Sequence, residues 1–254
     1  MLEFGKTKQP HTDYNTSAME TRDHSNGVSP KNHRSRRNFK VMKKYILFLV
    51  VAVLLSAGSA CKKDKTDPIT WELNNGTLTI SGNGVMPDYY SCVWCGCGSF
   101  APWYEYRDSI HTAIIETSIT TIGSGALGDC SNLTSITIPN NIISIGEYAF
   151  YSCISLTSIT IPNSVTTIGY GAFYNCTNLS SITIHSSVTV IDEYAFWRCT
   201  SLASITSLNP VPVAIDSNVF KDVNQSACTL KVPTSSVSAY KNAPVWKEFN
   251  IVGI

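Results

Sequence analysis

The sequence predicts a solenoid: a curved right-handed superhelix in which each repeat of 23 residues contributes one β-strand and one short helical turn. Two observations support this fold class. One residue pattern recurs with a 23-residue step through four consecutive units. Each unit is also too small to bury its apolar face alone, so stacked units must share one core. The recurring columns are Ile122, Ile145, Ile168 and Ile191; Ala126, Ala149, Ala172 and Ala195; Leu127, Phe150, Phe173 and Phe196; Cys130, Cys153, Cys176 and Cys199; Leu133, Leu156, Leu179 and Leu202; and Ile136, Ile159, Ile182 and Ile205.

The unit at residues 156–176 shows how each element follows from its residues. Residues 156–161 alternate apolar and polar side chains, which is typical of a strand with one buried face. Pro162 ends the strand because it has no N–H to donate. Residues 172–176 then place their apolar side chains on one face, which predicts a short helical turn.

The same unit carries a specific motif. It reads Leu-x-x-Ile-x-Ile-Pro followed by Val-x-x-Ile-Gly-x-x-Ala-Phe-x-x-Cys. This motif resembles the BspA-like (Treponema-type) leucine-rich repeat, and the resemblance extends over residues 70–254. It implies a leucine-rich-repeat solenoid with an N-terminal cap at residues 70–109, repeats at 110–228 and a C-terminal cap at 229–254. It also implies a module that binds a protein ligand at the cell surface.

An export signal is predicted at residues 42–60. A short basic segment, an apolar run and a group of small residues follow one another there, as in a secretory signal peptide. The apolar run is shorter than the about 20 residues that a membrane-spanning helix needs. Residues 1–41 carry eight Lys or Arg and four Asp or Glu without apolar periodicity. We expect them to be disordered, or an over-extended start ahead of a true start at Met42.

Cys61 directly follows the small residues and precedes a Lys-rich stretch, an arrangement that resembles a bacterial lipoprotein signal. The resemblance implies that Cys61 is the lipidated N-terminus of the mature chain and that residues 61–69 form a tether. Gly58 departs from the family pattern, which usually has Leu or Val three residues before the cysteine. The predicted location is the outer membrane or cell surface, with the lipid as the sole membrane attachment. Cleavage after Ala60 is the alternative, and it would give a soluble secreted protein.

Charge and histidine content exclude several function classes. From Lys62 onward, nine Lys or Arg stand against fourteen Asp or Glu, a net charge of −5. A mildly acidic chain lacks the excess of positive charge that nucleic-acid binding requires. His111 and His185 are the only histidines after Lys62, and no motif surrounds either of them. We therefore expect no catalytic residues, no enzyme activity, no cofactor and no metal site.

The cysteines after Cys61 divide into two groups. The 23-residue column lies on the apolar face, where a free cysteine behaves as a small hydrophobe, so we predict buried free thiols. Disulfides between adjacent repeats are the alternative. Cys92, Cys95 and Cys97 lie in a loop, where we predict a single local disulfide without a choice of pair. A structural zinc site there would need a fourth ligand.

Two aromatic regions are candidates for partner binding. The loop at residues 86–106 breaks the uniformity of the repeats, and a column of aromatic residues follows the buried Phe column. Aromatic side chains are enriched at protein interfaces. The alternative is packing alone: the loop rings would seal the first repeat, and the column rings would pack on one another. The candidate residues are Tyr89, Tyr90, Trp94, Trp103, Tyr151, Tyr174 and Trp197.

The predicted function is a surface-anchored binding or adhesion protein, because solenoids offer extended surfaces. A structural or assembly component of the cell envelope is one alternative, and a glycan-binding surface protein is another. The Ser and Thr side chains between the buried strand residues are expected to point outward. Their columns are too uniform to select one partner.

The lipid attachment is tested directly by substitution. We expect metabolic palmitate labelling of the wild-type chain and no labelling of Cys61→Ser, because only the thioether-forming side chain is removed. Equal labelling of the two chains, or a mature N-terminus at another residue, would show that Cys61 is not the attachment site.

Overall fold

Parallel strands stacked at 23-residue intervals build the fold. The computed structural model describes residues 69–89 and 100–254. In it Ser158 pairs with Ser181, and Ser181 pairs with Ser204. The same register joins Ser144 to Thr167, so equivalent positions of successive repeats lie side by side. The predicted leucine-rich-repeat solenoid is confirmed: it is a stack of parallel strands with about six turns.

Each repeat contributes a first strand and a shorter second strand. The strands are β1 (Thr70–Asn74), β2 (Thr77–Ser81), β3 (Gly84–Val85), β4 (Thr112–Ile115), β5 (Ile119–Ile122), β6 (Ser135–Thr137), β7 (Ser144–Ile145), β8 (Ser158–Thr160), β9 (Thr167–Ile168), β10 (Ser181–Ile184), β11 (Val190–Ile191), β12 (Ser204–Ser207), β13 (Thr229–Val232) and β14 (Asn250–Gly253).

The strands form three sheets, in the orders β1-β2-β4-β6, β8-β10-β12-β13-β14 and β3-β5-β7-β9-β11. All pairs are parallel except the antiparallel hairpin of β1 and β2. In the part of the chain that the structure describes, the helices are α1 (Val237–Asn242) and three 3-10 helices at Tyr104–Ser109, Thr234–Ser236 and Trp246–Glu248. Within 69–89 and 100–254, no helix has the length and apolar character needed to cross a membrane.

The core is a set of columns that run along the stack. The side chains of Phe150, Phe173 and Phe196 are fully buried. Their rings lie nearly parallel, 2–3° apart in plane angle, with centroids separated by 5.0 and 5.3 Å. Ile136 is partly buried, whereas the other predicted inward positions of the columns are buried. Between them, Ser158 and Thr160 are exposed as predicted, whereas the equivalent Ser and Thr side chains of β10 and β12 are half-buried.

The segment after the second strand consists of turns and not of a helix. In four consecutive repeats the backbone enters the left-handed region twice, once just before the Ala-Phe or Ala-Leu pair and once two residues after it. The first position has φ of +64° at Gly125, +53° at Tyr148, +57° at Gly171 and +60° at Tyr194. A left-handed residue cannot continue a right-handed helix, so the apolar face is presented by successive turns.

The two ends of the stack are closed by aromatic side chains. At the C-terminal end Trp246 and Phe249 meet the Phe220 ring edge-on, with centroids at 5.6 and 5.1 Å. At the N-terminal end Trp103 is 1% exposed, and its indole N–H donates to the Ala126 carbonyl over 2.8 Å. The aromatic side chains at both ends cover core residues that have no further repeat to pack against.

Phe173 and Thr160 test these inward and outward assignments. Phe173→Ala should cost on the order of 3–5 kcal/mol of unfolding free energy, because it opens a cavity between two stacked rings. Thr160→Ala should stay within about 0.5 kcal/mol, because its side chain is exposed. Denaturant melts of the two variants measure the difference, and comparable losses would contradict the assignment.

Candidate functional site

Six aromatic rings form a continuous surface across three consecutive repeats, which we name the aromatic strip. One row contains the predicted column, with centroids 5.3 Å apart for Tyr151 and Tyr174 and 4.6 Å apart for Tyr174 and Trp197. These rings are half-buried. The strip consists of Tyr148, Tyr151, Tyr170, Tyr174, Tyr194 and Trp197.

The second row of the strip did not follow from the 23-residue pattern. Tyr148 and Tyr194 occupy one column, but the intervening repeat has Gly171 there and carries its tyrosine one residue earlier. The ring of Tyr170 nevertheless lies between the other two, 5.4 Å from Tyr148 and 5.3 Å from Tyr194. A Cβ on Gly171 would come within 2.7 Å of the Tyr148 ring. The absence of a side chain at Gly171 therefore leaves the space that the Tyr148 ring fills.

Tyr148 and Tyr194 adopt a backbone conformation that favours glycine. The equivalent residues of two other repeats are Gly125 and Gly171, and all four have positive φ. A non-glycine residue in this region costs roughly 1–2 kcal/mol. Strained backbone of this kind is a pointer to function when the side chain has another use.

Charged residues surround Trp197 at one end of the strip. Its indole N–H donates to Asp222 Oδ2 over 2.9 Å. The Lys221 ammonium lies 5.0 Å and the Arg198 guanidinium 5.6 Å from the ring centre, within the range of cation–π attraction. Arg198 Nε also lies 3.6 Å from Asp222 Oδ2. This end of the strip thus combines an aromatic surface with two exposed cations.

At the other end the strip borders a cavity of about 500 Å³. Tyr89 and Tyr104 from the cap contribute to its walls, as do Tyr148 and Tyr151 from the strip. The two aromatic regions singled out in the sequence are therefore neighbours in space. The hydroxyl group of the buried Tyr89 is held neutral, because burial raises the pKa of this side chain well above its ordinary value.

The structure separates the remaining candidate residues. Trp103 is a core residue, so its ring cannot contact a partner and we leave it out of the binding surface. Tyr90 and Trp94, together with the cysteines of the same loop, Cys92, Cys95 and Cys97, lie outside the described residues, as does Cys61.

Comparison with known proteins identifies the repeat. The family described as BspA type leucine rich repeat region matches residues 103–241 with six copies. The chain belongs to the BspA-type leucine-rich-repeat family. Proteins of this family are generally non-catalytic interaction modules, and they are typically surface-associated. No curated protein matches the chain.

Solved structures of bacterial leucine-rich-repeat proteins are similar to this BspA-type chain. A protein from Eubacterium ventriosum is 27% identical with a TM-score of 0.46, and the match covers 68% of this chain and 53% of that one. The T. pallidum leucine-rich-repeat protein is 27% identical with a TM-score of 0.41, covering 56% and 71%. The pneumococcal vaccine antigen PcpA is 18% identical with a TM-score of 0.53, covering 71% and 42%, and this match shows a shared fold. The chain spans about half the length of the Eubacterium protein.

The cysteine column of these BspA-type repeats holds free thiols, as predicted. Three of these S–H groups donate to a carbonyl of the preceding repeat: Cys153 to Leu127 over 3.2 Å, Cys176 to Phe150 over 3.1 Å and Cys199 to Phe173 over 3.3 Å. Burial raises the pKa of Cys176 to about 12, so its thiolate is not populated near neutral pH. Within the described ranges no group of three or more His, Cys, Asp or Glu is placed to hold a metal ion. The column therefore joins repeats and offers no reactive nucleophile.

Variants at Tyr194 test whether an aromatic residue of the strip lowers the free energy of unfolding through its positive φ. Tyr194→Gly should be more stable than Tyr194→Ala by on the order of 1 kcal/mol, because only glycine adopts positive φ without strain. At Tyr174, whose φ is not positive, the order should reverse, since glycine is there the more costly residue. Denaturant melts of the four variants measure both signs. The same order at both positions would contradict the backbone argument.

Proposed function

We propose that this chain is an exported, non-catalytic binding protein of the bacterial cell surface, and that its aromatic strip contacts a protein partner. The observation that carries the proposal is the unbroken strip itself. Its rings continue across three repeats although the tyrosine shifts by one residue at Tyr170. Two of them are retained where glycine would relieve the backbone.

A strip of this kind has the properties of an interface centre. Trp and Tyr are the side chains most often found as binding hot spots. The rings already pack on one another, so binding need not order free side chains, which lowers its entropic cost. Tyr148 is 37% exposed, so ring surface remains for a partner to cover.

The strip also allows a partner to bind a repetitive surface in a single register. The exposed Ser and Thr columns of the strands are nearly identical in every repeat, so a partner could bind them at several equivalent offsets. The strip has unlike ends, with Arg198 and Lys221 beside Trp197 at one and the carboxylate of Glu147 at the other. A partner with complementary charges would bind in one orientation.

The segment before the solenoid supports a location outside the cytoplasm. Residues 42–60 have the three parts of a secretory signal, and Cys61 lies where a lipid would be attached. A lipid at Cys61 with a short tether would hold the strip close to the membrane surface. The palmitate labelling of Cys61→Ser tests the proposed anchor.

Tyr170→Glu tests the role of the strip with little risk to the fold. The equivalent residues of the neighbouring repeats are Glu147 and Glu193, so the backbone already accepts glutamate at this position. We expect about a tenfold or greater loss of affinity, as for an interface hot spot. Binding is measured to immobilised extracellular-matrix proteins and, separately, to isolated bacterial envelope.

Thr160→Glu is the matched control, because it adds the same charge on the exposed face of β8, away from the strip. It should leave binding within about twofold of wild type, and both variants should keep the wild-type melting temperature within a few degrees. Equal loss in both variants would indicate a charge effect, and wild-type binding by Tyr170→Glu would exclude the strip as the interface.

A further inference from the structure

The cavity at the N-terminal end of the aromatic strip combines two kinds of wall. Six of its lining residues are aromatic, and two are carboxylates, Asp129 and Glu147. The volume of about 500 Å³ lies within the range of cavities that hold a small ligand or one large side chain. We name this space the aromatic cavity.

The strip rings that line the aromatic cavity meet at steep angles, whereas Phe100 and Tyr104 of the cap stack at 19°. Tyr148 and Tyr151 are inclined by 87°, and Tyr151 and Tyr174 by 51°. The core rings of Phe150, Phe173 and Phe196, by contrast, lie within 3° of parallel and cover each other's faces. Rings inclined to one another present faces as well as edges to the cavity. Ring faces carry the negative part of the aromatic quadrupole.

The two carboxylates make the wall negative. Within the described residues the ion pairs are Arg198–Asp222 and Lys247–Glu248, so neither Asp129 nor Glu147 has a cationic partner there. Asp129 accepts a hydrogen bond from the Tyr104 hydroxyl over 3.5 Å. An uncharged apolar ligand would remove water from both carboxylates without replacing it. A cationic ligand would satisfy them.

The chain itself already places a cation on these rings. The Arg107 guanidinium carbon lies 4.3 Å from the centre of the Tyr104 ring, and its Nη1 donates to the Tyr104 carbonyl over 3.0 Å. The Phe100 ring stacks on Tyr104 at 4.2 Å. One ring that lines the cavity thus already contacts a guanidinium of the chain, and this is the type of contact that a bound cation would make with the other rings.

We infer that the aromatic cavity binds a cationic side chain, a lysine or arginine presented by a protein partner. The ring faces attract the cation and contact its apolar stem, and Glu147 and Asp129 neutralise its charge. This inference rests on the proposed binding function and gives the partner a chemical feature: an exposed basic residue that enters the cavity while the adjoining surface covers the strip.

The test compares peptides that differ only in the charge of one side chain. The full chain in mild detergent is titrated with Gly-Gly-Lys-Gly-Gly and with the same peptide carrying norleucine in place of lysine. The lysine peptide should bind about tenfold more tightly, and its affinity should fall as salt is raised to about 0.5 M. Equal affinity of the two peptides would show that the cavity selects apolar shape alone and would overturn the inference.

Two charge variants locate the peptide site. Glu147→Gln removes one charge from the cavity wall with little change of shape, and should weaken lysine-peptide binding about fivefold or more. Glu193→Gln makes the same change two repeats further along, at an exposed position outside the cavity, and should bind as wild type. Equal behaviour of the two variants would overturn the assignment of the site.

Further arms separate this inference from the proposed function. If tetramethylammonium binds as tightly as the lysine peptide and displaces it, the cavity recognises a free quaternary ammonium, and the assignment to a protein side chain is wrong. If the lysine peptide does not bind while Tyr170→Glu still abolishes matrix or envelope binding, the inference fails and the proposed function stands. If the peptide binds and Tyr170→Glu leaves matrix and envelope binding unchanged, the proposed interface fails instead.

Discussion

The hydrogen bonds between repeats are the constraint on which the structure depends. In each turn segment the Phe N–H donates to a carbonyl of the next repeat: Phe150 to Ala172 and Phe173 to Ala195, both over 2.8 Å. These bonds set the spacing of neighbouring turns close to that of strands in a sheet. Every side-chain column inherits that spacing. The buried Phe rings and the surface Tyr rings are both about 5 Å apart because the same backbone ladder carries them.

Regular spacing explains why uncharged polar residues suit this fold. Like charges repeated in one column would repel at about 5 Å, whereas hydroxyl groups can bond to the neighbouring repeat. Ser180 Oγ donates to the Thr157 carbonyl over 3.0 Å, and Thr166 Oγ1 donates to the Ile143 carbonyl over 3.1 Å. The thiol of Cys176 does the same inside the core. The low charge of the chain is therefore a requirement of the stack, and it makes the few charged side chains beside the aromatic strip distinctive.

The repeat pattern was enough to predict the solenoid, the buried Phe and Cys columns and the outward Ser and Thr columns, because each depends on equivalent positions alone. The second row of the strip was not predicted, because Tyr170 lies one residue before the column of Tyr148 and Tyr194. Only the folded backbone places its ring between theirs. A signal was present: glycine alternates with tyrosine at residues 125, 148, 171 and 194. Trp103 was misjudged because a capping ring and an exposed ring have the same sequence signature. The cavity joins residues far apart in the chain, so no local pattern could indicate it.

Because the contacts between repeats are nearly identical, the number of repeats can change during evolution. The Phe150–Phe173 and Phe173–Phe196 stacks differ by 0.3 Å in separation and 1° in angle, so these repeats share nearly the same interface. A duplicated or deleted stretch of 23 residues would therefore meet a partner surface that already fits. The number of repeats can therefore change by recombination while the core residues stay the same. The unlike ends, closed by Trp103 and Trp246, mark the only places where such growth must stop in this part of the chain.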